Sequence, residues 1–540
     1  METRPIVHTF NDQSKAWEYT FEFFKTKVYV PANNLPDNII NYGYDAPYIL
    51  VFEEKEMDMD AAKLYADNTC LAQMASEYAT SVVFIYPTGE DGWKGATKDL
   101  WIELISKSKI HEYHKDGYAI LNNRFTKQCD GYAIRGAIFR TFIFSKGASA
   151  DYVATNLIDT IDGEGLWGPA VITPTACVLE SLSVEPKILR KDMPIASIAN
   201  SDSLNEKINE QVKDFICMPE SDYIAVFNEF LKPYKRWGWV GDLSKDEDLK
   251  ALGMTEEAGI ANLETSKDNL GDDKETNRHE VGYFAYYNDN LFEKGAAPLV
   301  LCFHGGGDSA KHIAKVSEWY RVAKNHDFLL ICVENHLNST ATEMMELIEI
   351  LKDRYNIDST RIYATGFSMG GCKSWDLYQE YPQVFAGLAP MDATFDVGRN
   401  IYDQVVEKGI NEDVLVPIFY AGGEITPLPE LPFQEKKCLD RMQYVFKVNK
   451  VKKELNVKME GVTEWVNPIW GIDGDRIEKL YDSSREATLT LHYFDSEDGN
   501  CYSVFGSIDN QGHECRYHTC EQAWLFISQF RRLEDGSLIS

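Results

Sequence analysis

The fold of this chain is decided by the stretch Arg361-Ile362-Tyr363-Ala364-Thr365-Gly366-Phe367-Ser368-Met369-Gly370-Gly371. Its apolar first half predicts a strand, and the residues that follow Ser368 predict the start of a helix. Glycines two positions before and two positions after the serine let the backbone turn tightly and lift the serine Oγ clear of the sheet. The stretch therefore predicts a nucleophile elbow, which is a sharp strand-to-helix turn that presents a reactive serine.

A second glycine-rich turn lies upstream of the elbow. The buried-strand run 298–303 is followed at once by His304-Gly305-Gly306-Gly307. Glycines after a core strand let the main chain approach a substrate, and backbone N–H groups there can stabilise the negative charge that acyl transfer puts on a carbonyl oxygen. The alternative is an ordinary glycine turn. We expect an oxyanion loop, because this turn and the elbow occur together.

A candidate general base lies near the C-terminus of the sequence. His513 follows an alternating stretch at 501–505 and precedes a helix whose apolar residues recur every three or four positions. A histidine between the last strand and the last helix is where an α/β-hydrolase carries its base. His518 is the alternative base.

The histidines and cysteines of this region could instead bind a metal ion. The set would be His513, Cys515, His518 and Cys520, since imidazole and thiolate groups are zinc ligands. Their spacing matches no common zinc pattern. We therefore favour the base over the metal site and expect no metal here.

The acid that would orient the base is expected after the strand predicted at 414–420. Glu424 is the first carboxylate there, and glutamate can hold an imidazole in the required tautomer as aspartate does. Asp392, which follows the strand predicted at 385–389, is the alternative, and Glu430 is a weaker one. Most of the 85 acidic residues of the chain must be solvated surface groups.

These motifs together resemble those of a known family. Residues 355–371 look like the elbow region of polyhydroxybutyrate depolymerase-like and feruloyl esterases, and His513 before an aromatic helix is similar to the end of that family. The resemblance covers roughly residues 280–535. It implies an α/β-hydrolase serine esterase without a metal or organic cofactor. It also implies Ser368 as the nucleophile, His513 as the base, and the N–H groups of Met369 and Gly306 as oxyanion donors. A glutamate where the family usually has aspartate departs from its pattern.

Composition excludes some partners and suggests a compartment. The net charge of −31 disfavours binding to nucleic acid or to an anionic membrane, because such contacts need clustered Lys and Arg. The N-terminal residues lack the apolar segment of a signal peptide, and no apolar run has the length that a bilayer requires. The cysteines, 11 in number, suit a reducing compartment. We therefore expect a cytoplasmic protein that acts on a small-molecule or carbohydrate-linked ester.

The first half of the chain repeats features of the second half. Ser145 parallels Ser368 and Pro194 parallels Pro417, both at an offset of 223 positions, and Glu53 stands where His304 would be expected. No histidine follows Ser145 until after residue 277. The repetition predicts two tandem α/β-hydrolase copies, of which the first is degenerate. Two unrelated α/β domains with chance similarity are the alternative.

The predicted organisation follows from this repeat and from composition. We expect a degenerate domain at 1–252, a polar linker or exposed loop at 253–279, and a catalytic domain at 280–540. Alternating strands and helices in the catalytic domain predict a mostly parallel sheet covered by helices on both faces, with the three catalytic groups at one edge.

The predicted function is that of a serine carboxylesterase that hydrolyses feruloyl, acetyl-carbohydrate or short hydroxyalkanoate esters. A prolyl-oligopeptidase-like serine peptidase is the alternative within the same fold. A catalytically inactive binding scaffold is the alternative from a different class.

Overall fold

The computed structural model divides the chain into two compact units, Met1–Glu247 and Asp248–Ser540. The division falls close to the predicted end of the first domain at residue 252. The residues that the structure describes are 7–11, 16–20, 24–29, 47–77, 82–87, 89–98, 137–158, 164–165, 168–169, 173–186, 188, 191–237, 242–264, 278–306, 308–334, 336–394, 396–455, 457 and 465–540.

The first unit is built on a nine-stranded sheet with the strand order β1-β2-β3-β5-β4-β6-β9-β10-β11. Strands β1 to β3 are antiparallel, β3 pairs antiparallel with β5, and the strands from β5 to β11 run parallel. The strands of this unit are β1 (Val7–Asn11), β2 (Ala16–Thr20), β3 (Phe24–Tyr29), β4 (Pro47–Phe52), β5 (Val82–Pro87), β6 (Ala137–Lys146), β7 (Glu164–Gly165), β8 (Gly168–Pro169), β9 (Ala176–Glu180), β10 (Ile195–Ile198), β11 (Phe215–Met218), β12 (Tyr234–Trp237) and β13 (Asp242–Lys245).

Helices cover both faces of this first sheet. Strand β4 shows why, because all six of its residues are buried, with Leu50 packed in one apolar cluster and Ile49 in another on the opposite face. The helices are α1 (Met59–Asn68), α2 (Leu71–Glu77), α3 (Ala148–Asn156), α4 (Asp202–Gln211) and α5 (Tyr223–Val226), with a 3₁₀ turn at Gly92–Gly95 and a π turn at Phe227–Leu231.

The second unit is built on a ten-stranded sheet with the order β14-β15-β17-β16-β18-β19-β20-β23-β22-β21. The six strands from β17 to β23 in this order are parallel, and the strands at both ends are antiparallel. The strands are β14 (Met254–Glu264), β15 (Arg278–Asn288), β16 (Ala297–Phe303), β17 (Leu329–Val333), β18 (Ile357–Phe367), β19 (Gly387–Met391), β20 (Ile418–Gly423), β21 (Arg476–Asp482), β22 (Ala487–Asp495), β23 (Cys501–Ile508), β24 (Arg531–Arg532) and β25 (Leu538–Ile539).

The helices of the second unit pack on a fully buried parallel core. Helix α8 begins at a capping box between Thr340 and Glu343, and its apolar stripe, which includes Leu347 and Leu351, lies in that core. In the described part of the chain, no helix is both long enough and apolar enough for a membrane span. The helices are α6 (Ala310–Val316), α7 (Trp319–His326), α8 (Ala341–Arg354), α9 (Met369–Glu380), α10 (Lys436–Val448) and α11 (Tyr517–Ile527), with 3₁₀ turns at Leu291–Lys294 and His336–Asn338.

This architecture is that of the α/β-hydrolase fold, as the sequence predicts. A mostly parallel sheet with antiparallel strands at both ends carries the elbow at the end of a central strand, β18. The carboxyl ends of β16, β18, β19, β20 and β23 meet at one edge of the sheet. Each candidate catalytic residue follows one of these strands in the chain.

The segment 253–279 is not the linker that we expect from its polar composition. Residues Met254–Glu264 form β14, which pairs along its whole length with β15. The strand alternates, with Ala261 and Leu263 in the core and polar residues between them on the other face. Half of its residues therefore face away from the core, which explains the low apolar content. Residues 265–277 lie outside the described part.

The two units share one strand order around their central strands. The order β3-β5-β4-β6-β9-β10-β11 in the first unit corresponds to β15-β17-β16-β18-β19-β20-β23 in the second, with the same parallel and antiparallel pairings. Two independent α/β domains could also share this order. Descent of the two units from a duplication stays a prediction.

Candidate active site

The predicted elbow lies between β18 and α9. Ser368 has φ 53° and ψ −120°, a region that residues with a side chain rarely occupy. The backbone is held there because the Ser368 N–H donates to the carbonyl oxygen of Met391 at 3.1 Å, and Cys372 N–H donates to that of Ser368 at 3.0 Å. Backbone strain of this kind concentrates at functional sites.

Two glycines make this turn sterically possible. A Cβ on Gly366 would overlap the carbonyl oxygen of Gly370, and a Cβ on Gly370 would overlap that of Phe303. The helix thus starts in direct contact with the sheet. Side chains at either position would push the start of α9 away from β16 and β18 and would displace Ser368.

The glycine turn after β16 lies against the elbow, where an oxyanion loop is expected. A Cβ on Gly306 would lie 2.6 Å from the Sδ atom of Met369. The buried His304 ring anchors the loop, because its Nδ1 lies 2.7 Å from the carbonyl oxygen of Gly305 and its Nε2 contacts that of Glu334. The structure thus brings both predicted oxyanion residues together. Gly307 lies outside the described residues.

His513 lies in the loop between β23 and α11, as the sequence predicts. Its ring packs on the ring of Phe367, the residue before Ser368, with the two centroids 4.6 Å apart. Its Nδ1 lies 2.7 Å from Oε1 of Glu430. Burial lowers the pKa of His513 below its ordinary value, which favours the neutral imidazole that a general base requires.

Two buried carboxyl groups lie behind the imidazole. Asp392 follows β19 and is 2% exposed, and Glu430 follows β20 and is 1% exposed. Oδ1 of Asp392 accepts a hydrogen bond of 2.8 Å from the N–H of Gly423. Burial raises the pKa of Glu430 to about 7, and burial together with the neighbouring Glu430 charge raises the pKa of Asp392 well above its ordinary range.

Glu424, the acid expected from the sequence, lies elsewhere. Its Oε1 accepts a hydrogen bond of 2.7 Å from the hydroxyl of Ser507, and its N–H donates to the carbonyl oxygen of Ile508. The expected loop is therefore right, but the carboxylate that it brings to His513 is Glu430. The reason is geometric, because residue 424 continues the β20 ladder beside β23, whereas the loop returns toward the imidazole at residue 430.

The alternative base and the alternative metal site do not converge on the elbow. His518 lies in the first turn of α11 beside a small cavity that Asp482 and Arg485 also line. Cys515 and Cys520 lie together, with their sulfur atoms 3.4 Å apart.

Among the described residues, a different group could share one metal ion. Its members are Asp392, Glu430 and His513, whose ligand atoms lie within 4.8 Å of one another. These are also the residues that a catalytic acid and base would need. The distances alone suit either role.

The corresponding turn of the first unit carries glycine at the position of Ser368. Gly147 has φ 58° and ψ −127°, directly precedes α3, and donates its N–H to the carbonyl oxygen of Glu180, as Ser368 does to that of Met391. Ser145 lies two residues earlier, buried within β6, with its hydroxyl donating to Val178. The proposed equivalence of Ser145 and Ser368 is therefore wrong.

The offset of 223 positions gives the wrong match for the two serines. The strand register shows the difference. Ser145 pairs with Phe52 at the end of β4, and Gly366 pairs with Phe303 at the end of β16, so Ser145 matches Gly366 and not Ser368. The prolines at the same offset do occupy matching positions. The carbonyl oxygen of Pro194 accepts from the strand β9, and that of Pro417 accepts from β19.

Two curated proteins are similar to part of this chain. One is the bifunctional acetylxylan esterase/xylanase XynS20E of Neocallimastix patriciarum, 24% identical over 132 residues. The other is poly(3-hydroxyalkanoate) depolymerase C of Paucimonas lemoignei, 27% identical over 114 residues. The chain resembles α/β-hydrolase esterases. The matched segments cover 22% and 18% of this chain and 20% and 27% of the length of these relatives, and no family model matches.

Solved structures give the same kind of neighbour at lower identity. The acetyl xylan esterase of Aspergillus awamori is 11% identical, with a TM-score of 0.32, and covers 50% of this chain and 99% of its own. The S-formylglutathione hydrolase of Staphylococcus aureus is 14% identical, with a TM-score of 0.27, and covers 36% and 86%. The fold assignment rests on the strand order described above.

Proposed function

We propose that the second unit is a serine carboxylic-ester hydrolase in which Ser368 is the nucleophile, His513 the base and Glu430 the orienting acid. One observation carries the proposal. The imidazole of His513 packs on Phe367, beside the strained Ser368, with its Nδ1 2.7 Å from a buried carboxylate. A nucleophile on a tight turn, a base and an acid behind the base are the parts that acyl transfer needs.

The reaction follows from these positions. Oγ of Ser368 attacks the ester carbonyl carbon as its proton passes to Nε2 of His513, and the N–H groups of Met369 and Gly306 stabilise the oxyanion. The bond to the leaving alkoxide then breaks, and His513 gives its proton to that oxygen. Water repeats the sequence on the acyl-enzyme and releases the carboxylic acid. Glu430 stabilises the imidazolium in each half-reaction.

The proposed substrates are acetylated carbohydrates, short hydroxyalkanoate esters and feruloyl esters. The names of the two curated relatives support the first two classes, and the resemblance of the elbow region supports the third. A peptidase would use the same groups. The experiment is hydrolysis of a panel containing acetylated xylo-oligosaccharide, 3-hydroxybutyrate oligomer, methyl ferulate and a prolyl peptide anilide.

Ser368→Ala serves as the test variant, and Ser359→Ala, an exposed serine on the same strand, serves as the matched control. We expect ester turnover that Ser368→Ala abolishes, that Ser359→Ala retains and that a chelator leaves intact. Loss of turnover with the chelator would assign the buried carboxylates to a metal ion. Cleavage of the anilide alone would assign a peptidase, and no turnover of any panel member would favour a binding scaffold.

A further inference from the structure

The acid behind His513 has a buried partner whose role the triad does not explain. Asp392 and Glu430 come from different loops, and both carboxyl groups are almost completely enclosed. Glu430 has two buried oxygens. Oε1 lies 2.7 Å from Nδ1 of His513, and no residue that the structure describes donates a well-directed hydrogen bond to Oε2. A buried acceptor without a donor is costly, so a proton is the missing component between the two carboxyl groups.

Charge balance points the same way. Among the residues that the structure describes, Arg441 is the cation that acts on Glu430. It is buried, donates to the carbonyl oxygens of Ala393 and Glu430, and packs over the ring of Tyr420. One guanidinium compensates one carboxylate. Two carboxylates with neutral His513 would leave an uncompensated negative charge in the interior, so one of the two holds a proton.

The contacts identify which group holds the proton. Burial raises the pKa of Glu430 to about 7, and this rise is limited by Asp392 as a hydrogen-bond partner and by the charge of Arg441, both of which lower it. The pKa of Asp392 is instead raised by burial and by the Glu430 charge. Oδ1 of Asp392 is occupied by the Gly423 N–H, which leaves Oδ2 to carry the proton toward Glu430.

We propose that Asp392 is a positioning residue that keeps its proton and donates it in a hydrogen bond to Glu430, so that Glu430 alone carries the charge that faces His513. This inference rests on the proposed function. It explains how a catalytic glutamate stays ionised and fixed in an enclosed site, because a protonated carboxyl group supplies the donor that a second carboxylate could not. The other groups that face the pair are His513 before α11, Arg441 on α10, Cys372 on α9 and Tyr420 on β20. Asp308 and Glu514 face His513.

The test compares two substitutions of Asp392 in the full chain. Asp392→Asn keeps a neutral group of the same shape that can donate to Glu430 and accept from Gly423, whereas Asp392→Leu removes both functions. With p-nitrophenyl acetate, we expect Asp392→Asn to lower kcat/KM by less than about tenfold, and Asp392→Leu by more than about a hundredfold. Glu430→Gln should cost far more than Asp392→Asn.

The pH profile gives a readout that a packing defect would not produce. Loss of the donor in Asp392→Leu should raise the pKa of Glu430 and move the acid limb of kcat/KM to higher pH, while Asp392→Asn should leave the limb in place. If Asp392 were ionised, both variants would remove a negative charge and move the limb to lower pH. That shift, or a loss in Asp392→Asn as large as in Glu430→Gln, would overturn the proposal.

Two further measurements separate failure of this inference from failure of the proposed function. Infrared difference spectra between wild type and Asp392→Asn at pH 8 should contain the C=O stretch of a protonated carboxyl group, even if Asp392→Leu does not fold. Absence of that band would contradict the proposal while Ser368→Ala remains inactive. Full activity of Ser368→Ala would instead overturn the esterase function on which it rests.

Discussion

The turn after β6 in the first unit and the turn after β18 in the second have nearly the same backbone conformation. Each follows a central parallel strand, each has a positive φ, and each directly precedes a helix. Gly147 adopts this conformation without strain, whereas Ser368 adopts it with a side chain present. A glycine at the first turn removes both the strain and the nucleophile.

The surroundings of the two turns also differ, because the described residues around Gly147 lack the groups that lie around Ser368. In the first unit, the Ala148 N–H, which corresponds to that of Met369, donates to Oε1 of Glu54 at 2.8 Å. A carboxylate thus accepts from the N–H group that matches the proposed oxyanion donor. Ser181 stands at the position of Asp392, since each has a positive φ and donates its N–H to the next strand. One architecture therefore carries the proposed catalytic groups in the second unit and lacks their counterparts at the matching positions of the first, as expected if function depends on the site and not on the fold.

Converting the second turn into the first should have the largest effect. Ser368→Gly should lower ester kcat by about 10⁶-fold, since loss of a catalytic serine removes the covalent route. It should also raise the free energy of unfolding by about 1 kcal/mol, because glycine relieves the positive φ. Steady-state kinetics and chemical denaturation measure the two effects.

The matched control is Ser145→Ala, which removes a buried hydroxyl that donates to Val178. We expect kcat to stay within about twofold of the wild type and stability to fall by about 1 kcal/mol. Equal losses of activity in Ser145→Ala and Ser368→Gly would contradict the assignment of one reactive turn.

Substitution of the acid should have the next largest effect. Glu430→Gln should reduce kcat by about 10⁴-fold, the size known for amidation of the triad aspartate in chymotrypsin-like proteases. Glu424→Gln is the matched control, because its carboxylate contacts Ser507, and we expect it to remain within about threefold of wild type. A larger loss in Glu424→Gln than in Glu430→Gln would restore the acid expected from the sequence.

The pH dependence of the second unit should report the enclosed carboxyl pair. Glu430 must be ionised to act, and its pKa is raised to about 7, so activity should fall as the pH decreases through about 7. The lowered pKa of His513 places imidazole protonation below this range. A profile of kcat/KM between pH 5 and 9 checks this decrease. Its midpoint is an apparent pKa of Asp392 and Glu430 as a coupled pair. Constant activity down to pH 5 would contradict the assignment.

Adding a serine to the first turn should have the smallest effect on activity. Gly147→Ser in a Ser368→Ala background should show no turnover, because Glu54 accepts from the Ala148 N–H and the described residues of the first unit after Ser145 include no histidine. The added side chain would meet Glu54 and would need a positive φ, so unfolding free energy should fall by about 1–3 kcal/mol. Measurable turnover would mean that the first unit retains catalytic groups.

The sequence predicts the fold well where elements alternate regularly. The run before Gly366 and the apolar strand 298–303 predict β18 and β16, and the order of strands and helices predicts a parallel sheet. It fails at β14, because a strand with one face away from the core has few large apolar residues. The alternation of Ala261 and Leu263 with Asn262 and Glu264 was the available signal.

The candidate site was predictable where residue type and turn geometry coincide. The glycine pattern indicates Ser368. The position of His513 between the last strand of the sheet and the last helix indicates that histidine. The acid could not be chosen from the sequence, because Glu424 and Glu430 share one loop and the path of that loop decides which reaches the imidazole. The equivalence of Ser145 failed for a related reason, since equal spacing does not reveal a two-residue difference in strand register.

The most direct test of the central claim is covalent labelling of the full chain with a fluorophosphonate, followed by peptide mapping. The reagent loses fluoride when an activated serine Oγ attacks phosphorus, so it marks a nucleophile with a functioning base. We predict one adduct, on Ser368, whose formation Glu430→Gln slows strongly and Glu424→Gln does not. An adduct on a serine of the first unit, or undiminished labelling of Ser368→Ala, would contradict the assignment of Ser368.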